Sequence, residues 1–155
     1  MHIYLSGGME YANDDGKGWR EEVQLWIERD LKSTVFNPSL ESERYLRDHY
    51  PDVNIRALKA TDPEAFRRFI AAVIDRDCRE IAERADLVIC RWDQSAMRGA
   101  GTQGEVTLAR YFGKPVFLLC AIDPGDIPGW VIGCSVSISR SLDDLKARVA
   151  AFLAP

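Results

Sequence analysis

Asp86-Leu87-Val88-Ile89-Cys90 and, a short polar interval later, Gly99-Ala100-Gly101-Thr102-Gln103-Gly104-Glu105 form the stretch whose reading decides the fold. The first piece is an apolar run. The second is a glycine-rich turn that opens a helical pattern from Val106 to Phe112. Strand, turn and helix in that order place the turn at the carboxyl end of a sheet strand, where open α/β sheets bind their ligands. Gly99, Gly101 and Gly104 let the backbone come close to something bound. Glu105, a carboxylate, is expected in the first turn of the new helix.

The same alternation continues on both sides. Residues 2–5 read as a first strand, ended by Ser6-Gly7-Gly8. Trp19, Val23, Trp26 and Ile27 recur at helical spacing, which predicts a helix over about 17–31. Val35-Phe36 is a short second strand stopped by Asn37-Pro38. Residues 39–61 are charged, contain Tyr45, His49 and Tyr50, and exceed what a short βα unit needs. They are read as an insertion: a solvated helix and loop, or a lid or oligomer contact.

Thr61-Asp62-Pro63-Glu64 predicts a helix start, with a Thr cap, an acid three residues on and Pro in the first turn. The helix should reach Ala85. Its apolar stripe of Phe66, Phe69, Ile70, Val73, Ile74 and Ile81 puts Asp77 inward, between Val73 and Ile81. Asp75 falls on the opposite face.

Beyond the central turn, Val116-Phe117-Leu118-Leu119-Cys120 is a buried strand. Residues 131–139 alternate and suggest an edge strand. Ser141 with Asp144 starts a last helix, with Leu142, Leu145, Val149 and Phe152 inward. The expected architecture is one α/β domain over 1–155, a doubly wound, mainly parallel sheet of about five strands in the order 2-1-3-4-5, with helices on both faces. Such a Rossmann- or flavodoxin-like order brings Ser6-Gly7-Gly8 and the segment from Asp93 to Glu105 to one crevice.

Composition narrows the partners. Twenty basic and twenty-four acidic residues give a net charge of −4 and no basic block, which argues against a nucleic-acid partner. No apolar stretch is long enough to span a membrane and the start lacks a leader pattern, so a cytoplasmic protein is expected. Cys78, Cys90, Cys120 and Cys134 form no C-x-x-C pair and there are two histidines, so no metal site is expected. Cys90 and Cys120 read as buried thiols.

The central turn supports four readings. Thr102-Gln103-Gly104-Glu105 fits a capping box. Gly99-x-Gly101-x-x-Gly104 matches a dinucleotide fingerprint, with Asp123 in the place of a ribose-binding acid, although residues 93–98 separate the glycines from the strand and Glu105 would repel a pyrophosphate. A non-catalytic pocket that senses a nucleotide would use the same glycines.

The fourth reading is glycosyl transfer. An oxocarbenium-like transition state needs an ionised carboxylate near the anomeric carbon, which a helix N-terminus favours, and a second acid for the leaving base. Glu105 and the inward Asp77 suit those roles; the plain alternative for Asp77 is a buried acid paired with Arg56 or Arg91. Ser6, Gly7 and Gly8 would offer a hydroxyl and backbone N–H groups to the sugar or a 5′-phosphate.

Ile3-Tyr4-Leu5-Ser6-Gly7, Asp77-x-x-x-Ile81 leading into Ala85-Asp86-Leu87-Val88-Ile89, Gly101-Thr102-x-x-Glu105 and Gly113-Lys114-Pro115-Val116 together resemble the nucleoside 2-deoxyribosyltransferase family and its nucleotide N-glycosidase relatives. The similarity runs in matching order through nearly the whole chain. It implies that Glu105 is a nucleophile forming a covalent deoxyribosyl-enzyme, that Tyr4 hydrogen-bonds and orients it, and that Asp77 binds substrate and assists base departure. Gly101 and Thr102 would line the substrate site. The resemblance implies no cofactor and no metal, a small nucleoside or nucleotide substrate, and a homodimer or larger homo-oligomer. The transferases' acid six residues before the nucleophile is replaced by Gly99, with Asp93 able to reach the same space. Their C-terminal asparagine has no match. Cleavage or exchange of the N-glycosidic bond of a 2-deoxynucleoside or its monophosphate is therefore the expected activity; base, acceptor and phosphate requirement are not legible.

Overall fold

Alternate residues of the central strands pack against opposite helical layers, as a sheet covered on both faces requires. The computed structural model describes residues 1–154. Its strands are β1 (His2–Gly7), β2 (Thr34–Phe36), β3 (Leu87–Trp92), β4 (Val116–Cys120) and β5 (Ser137–Ser139). All neighbours are parallel, in the order β2-β1-β3-β4-β5 that the alternation predicts. Helices α1 (Lys17–Asp30), α2 (Pro38–His49), α3 (Ile55–Thr61), α4 (Pro63–Arg79), α5 (Gln94–Arg98), α6 (Ala100–Tyr111), α7 (Gly129–Cys134) and α8 (Leu142–Leu153) connect them.

Ile3, Leu5, Leu87, Ile89 and Phe117 meet Trp19, Val23, Trp26 and Ile27 of α1 and Leu145 and Val149 of α8. Tyr4, Val88, Cys90, Trp92, Val116 and Leu118 meet Val106 and Ala109 of α6, Val131 of α7, and Ile81 and Ala85 after α4. The even residues of β1 thus face α6 and the turn that ends α4. That periodicity aims Tyr4 and Ser6 at one layer.

Several expectations change. The start of α4 is capped by Asp62, whose side chain accepts from the Ala65 N–H, and not by Thr61. Proline at position 63 keeps Asp62 out of the helical region, at φ −148° and ψ 79°, which suits an N-cap. The helix ends in a π-turn over Glu80–Arg84, so the stripe rotates: Asp77 and Ile81 are buried while Ile74 is half exposed. Asn37-Pro38, read as a strand stop, is also a helix start, with Asn37 capping α2 through the Ser39 N–H. The 39–61 segment is two helices, α2 and α3. Tyr45 packs on Phe69 of α4 at a tilt and Tyr50 meets it edge-on, and Lys59 pairs with Glu10 at 2.6 Å. Of the alternating stretch 131–139, only Ser137–Ser139 is strand; Pro128 starts α7 over the rest. Phe152 is half exposed and meets Phe117 edge-on. No helix among the described residues is long and apolar enough to cross a membrane.

Candidate active site

β1 and α6 supply the centre of the site. The Tyr4 hydroxyl donates to Glu105 Oε1 at 2.8 Å, and the Ser6 hydroxyl donates to Glu105 Oε2 at 2.5 Å. Tyr4 and Ser6 are two residues apart on one strand, so the pleat delivers both to the same carboxylate. Tyr4 is fully buried, and its ring stacks on Phe36 of β2 at 5.3 Å. Glu105 is half-buried as a residue, while its carboxyl group is enclosed.

The helical setting of Glu105 differs from the expected one. Gly99 is the N-cap of α6 and has no side chain to cap with, so the helix begins at Ala100. Glu105 lies in the second turn, and the Thr102–Glu105 capping box does not form. The charge at the helix N-terminus fades beyond the first turn. It therefore does little to keep Glu105 ionised. The carboxyl is pushed up to about 7, first because burial removes its water, with the nearby charge of Asp77 adding to the rise. The bonds from Ser6 and Tyr4 and the positive charge of Arg20 act in the opposite direction. A carboxyl set near neutrality exists in both protonation states at cellular pH.

Asp77 is buried at 8 % exposure, as the helical period predicts. Its partner is neither Arg56 nor Arg91. Arg76, its neighbour in sequence, donates Nε to Asp77 Oδ1 at 2.8 Å and Nη2 to Ser42 of α2 at 3.1 Å, while its guanidinium lies 5.6 Å from the Phe36 ring centre. Burial raises the Asp77 carboxyl, against the pull of Arg76. Arg56 and Arg91 instead pair with Asp15 and Asp93.

The turn residues divide. Gly7 packs so closely on Trp19, and Gly8 on Ser95 and Ala96, that a Cβ at either would collide. These two glycines are needed by the protein's own packing. Gly101 and Gly104 face open space with nothing within 4 Å of a Cβ position. Thr102 is buried in the first turn of α6. Asp93 caps α5, its Oδ1 accepting from the Ser95 N–H at 2.9 Å, the Ser95 hydroxyl and the Ala96 N–H, while Oδ2 faces Arg91 at 3.2 Å. Its oxygens are committed within the protein. The dinucleotide spacing loses its setting, because α5 stands between β3 and the glycines and Gly101 and Gly104 lie inside a helix.

Cys90, opposite Ser6 in the β1–β3 register, is buried and its thiol is driven well above the usual range. It stays protonated and is a poor nucleophile. Among the described residues no group of three or more His, Cys, Asp or Glu side chains could hold a metal. A surface hollow of about 480 Å³ lies elsewhere, against Gln103, Gly104, Thr107, Tyr111 and Trp130, and includes neither Glu105 nor Asp77.

Arg20 was not singled out by the sequence reading. The residue is 1 % exposed, and its guanidinium donates to the carbonyls of Gly16 and Gly7, both at 2.7 Å, and of Leu5 at 3.4 Å. The readable signal was its helical spacing from Val23 and Ile27, which puts it on the buried face of α1.

The fold and the carboxylate at the sheet's carboxyl end define a doubly wound α/β protein with an acid-centred site. Its structure is similar to that of the CMP N-glycosidase BcmB of Clostridium botulinum, with a TM-score of 0.53, 16 % identity, and 99 % of this chain and 100 % of that chain covered. That likeness shows a shared fold. No protein-family model and no curated protein sequence matches this chain.

Proposed function

We propose that this chain cleaves the N-glycosidic bond of a 2-deoxynucleoside or its 5′-monophosphate, with Glu105 as the nucleophile. The observation that carries the reading is the pair of hydroxyl bonds from Tyr4 and Ser6 that fixes both oxygens of a carboxyl set near neutral pH. Similarity to the fold of a protein named as a CMP N-glycosidase supports a nucleotide substrate.

In this mechanism ionised Glu105 attacks C1′ as the C1′–N bond breaks, giving a glycosyl ester. The departing base takes a proton from Asp77 Oδ2, the oxygen that Arg76 leaves free, with burial raising that carboxyl against the pull of Arg76. Water, or a second base in a transfer reaction, then attacks C1′ and gives its proton to the Asp77 carboxylate, while the C1′–O bond to Glu105 breaks and restores the Glu105 carboxylate. Tyr4 and Ser6 hold the attacking group in line and share its charge. The open face of α6 at Gly101 leaves room for substrate beside Glu105.

The test is incubation with deoxynucleosides and their monophosphates, with chromatography of released base. Base release in proportion to enzyme supports the reading. Binding that raises the melting temperature without release would replace it with a nucleotide-sensing module.

A further inference from the structure

Arg20 is a fully buried cation whose hydrogen bonds all go to backbone carbonyls. The sheet explains why. β2 stops opposite Tyr4. Beyond that point β1 has no strand on its β2 side, and the Leu5 and Gly7 carbonyls would be left as an unpaired buried edge. Such groups are costly unless satisfied. The Arg20 fork takes both carbonyls, one on each side of Ser6. The groove around it is built for the fork: Gly16 has φ 70° and a Cβ there would collide with Arg20 Nη1 and the Gly8 carbonyl. The Trp19 ring lies 4.7 Å from the guanidinium.

We propose that Arg20 is a positioning residue for the glycosidase site, holding Ser6 against Glu105 by replacing the missing strand, with its positive charge paired to no acid. The inference rests on the proposed role of Glu105. The charged and titratable groups around that carboxyl are Tyr4 of β1, Asp77 and Cys78 of α4, Cys90 of β3 and Arg20 of α1, with Ser6 as the neutral donor. Arg20 is the cation among them that acts on Glu105 directly; Arg76 is paired with Asp77. Removing the charge or loosening Ser6 both favour the protonated carboxyl.

The experiment follows the Glu105 carboxyl carbon by ¹³C NMR across pH in full-length protein labelled at glutamate, with E105Q identifying the signal. R20Q should raise the titration midpoint by about one pH unit, and R20K, which keeps a charge but not the fork, by less. The ascending limb of the pH profile for base release should move the same way. Folded R20Q and R20K that titrate at the wild-type midpoint would overturn the inference. If R20Q does not fold, R20K alone decides: a raised midpoint supports the role and an unchanged one removes it. A wild type that releases no base sinks the glycosidase reading, while the titration still reads Arg20.

Discussion

The Tyr4 hydroxyl and Glu105 Oε1 stand 2.8 Å apart although 101 positions separate them in the chain. The contact joins the first strand to the helix after the third. It is made where the strand order turns back on itself, so neither residue can move without disturbing both β1 and α6. The packing of Tyr4 on Phe36 fixes the ring, and the ring fixes the carboxylate.

Y4F keeps that packing and removes the hydrogen bond. A hydrogen bond to a charged group contributes about 1.5–3 kcal/mol, so the rate of base release should fall roughly ten- to hundredfold. Michaelis constants should change little, because the lost bond is to the reacting group and not to substrate. Steady-state kinetics on a folded variant checks both.

D77N removes the second acid. Base release should slow, most for substrates whose base is a poor leaving group. Asp77 in its ionised form raises the Glu105 carboxyl, so its replacement should also shift the ascending limb of the pH profile to lower pH. A profile of kcat/KM against pH for the residual activity reads the shift.

Stability should carry the same signature. Glu105 titrates near 4.5 when unfolded and at about 7 in the folded chain. Between those values the folded protein holds a proton that the unfolded chain has released. This group's contribution is therefore complete at low pH, declines as pH rises through that window, and is level above it. E105Q cannot lose the proton. Its melting temperature relative to wild type should climb between pH 5 and pH 7.5, measured by thermal unfolding in matched buffers.

G16A tests the groove that receives Arg20. Its φ of 70° is unfavourable for alanine and the added methyl meets the guanidinium. Strained positions of this kind cost about 1–3 kcal/mol, so the melting temperature should drop by several degrees. Calorimetry measures it.

The layer order was legible because apolar runs and helical periods alternate from residue 2 to residue 120, interrupted by the charged segment 39–61. Asp77 was legible for a similar reason: a stripe of Val73 and Ile81 leaves an intervening residue no other direction. The setting of Glu105 was not. Three glycines suggest a turn, yet Gly101 and Gly104 are helical, because α6 gains from packing Val106 and Ala109 on the sheet what the glycines lose in propensity. Ser6 was read as a sugar contact, but which partner a hydroxyl meets depends on register between distant elements. Asp93 is expected to reach the space of the transferases' missing acid, while a local cap to Ser95 and Ala96 claims it. Arg20 went unread because an arginine on a helix is ordinarily solvated, and its need arises from β2 ending early, which no local pattern encodes.

Capture of the glycosyl-enzyme tests the central claim most directly. Protein mixed with a deoxynucleotide carrying an electron-withdrawing 2′-fluorine, which slows the second step, is acid-quenched and weighed intact and as peptides. Wild type should gain one sugar or sugar phosphate on the peptide bearing Glu105, and E105Q should gain none while releasing base roughly a thousandfold more slowly from the natural substrate. A label on another residue, or wild-type turnover by folded E105Q, would contradict the account.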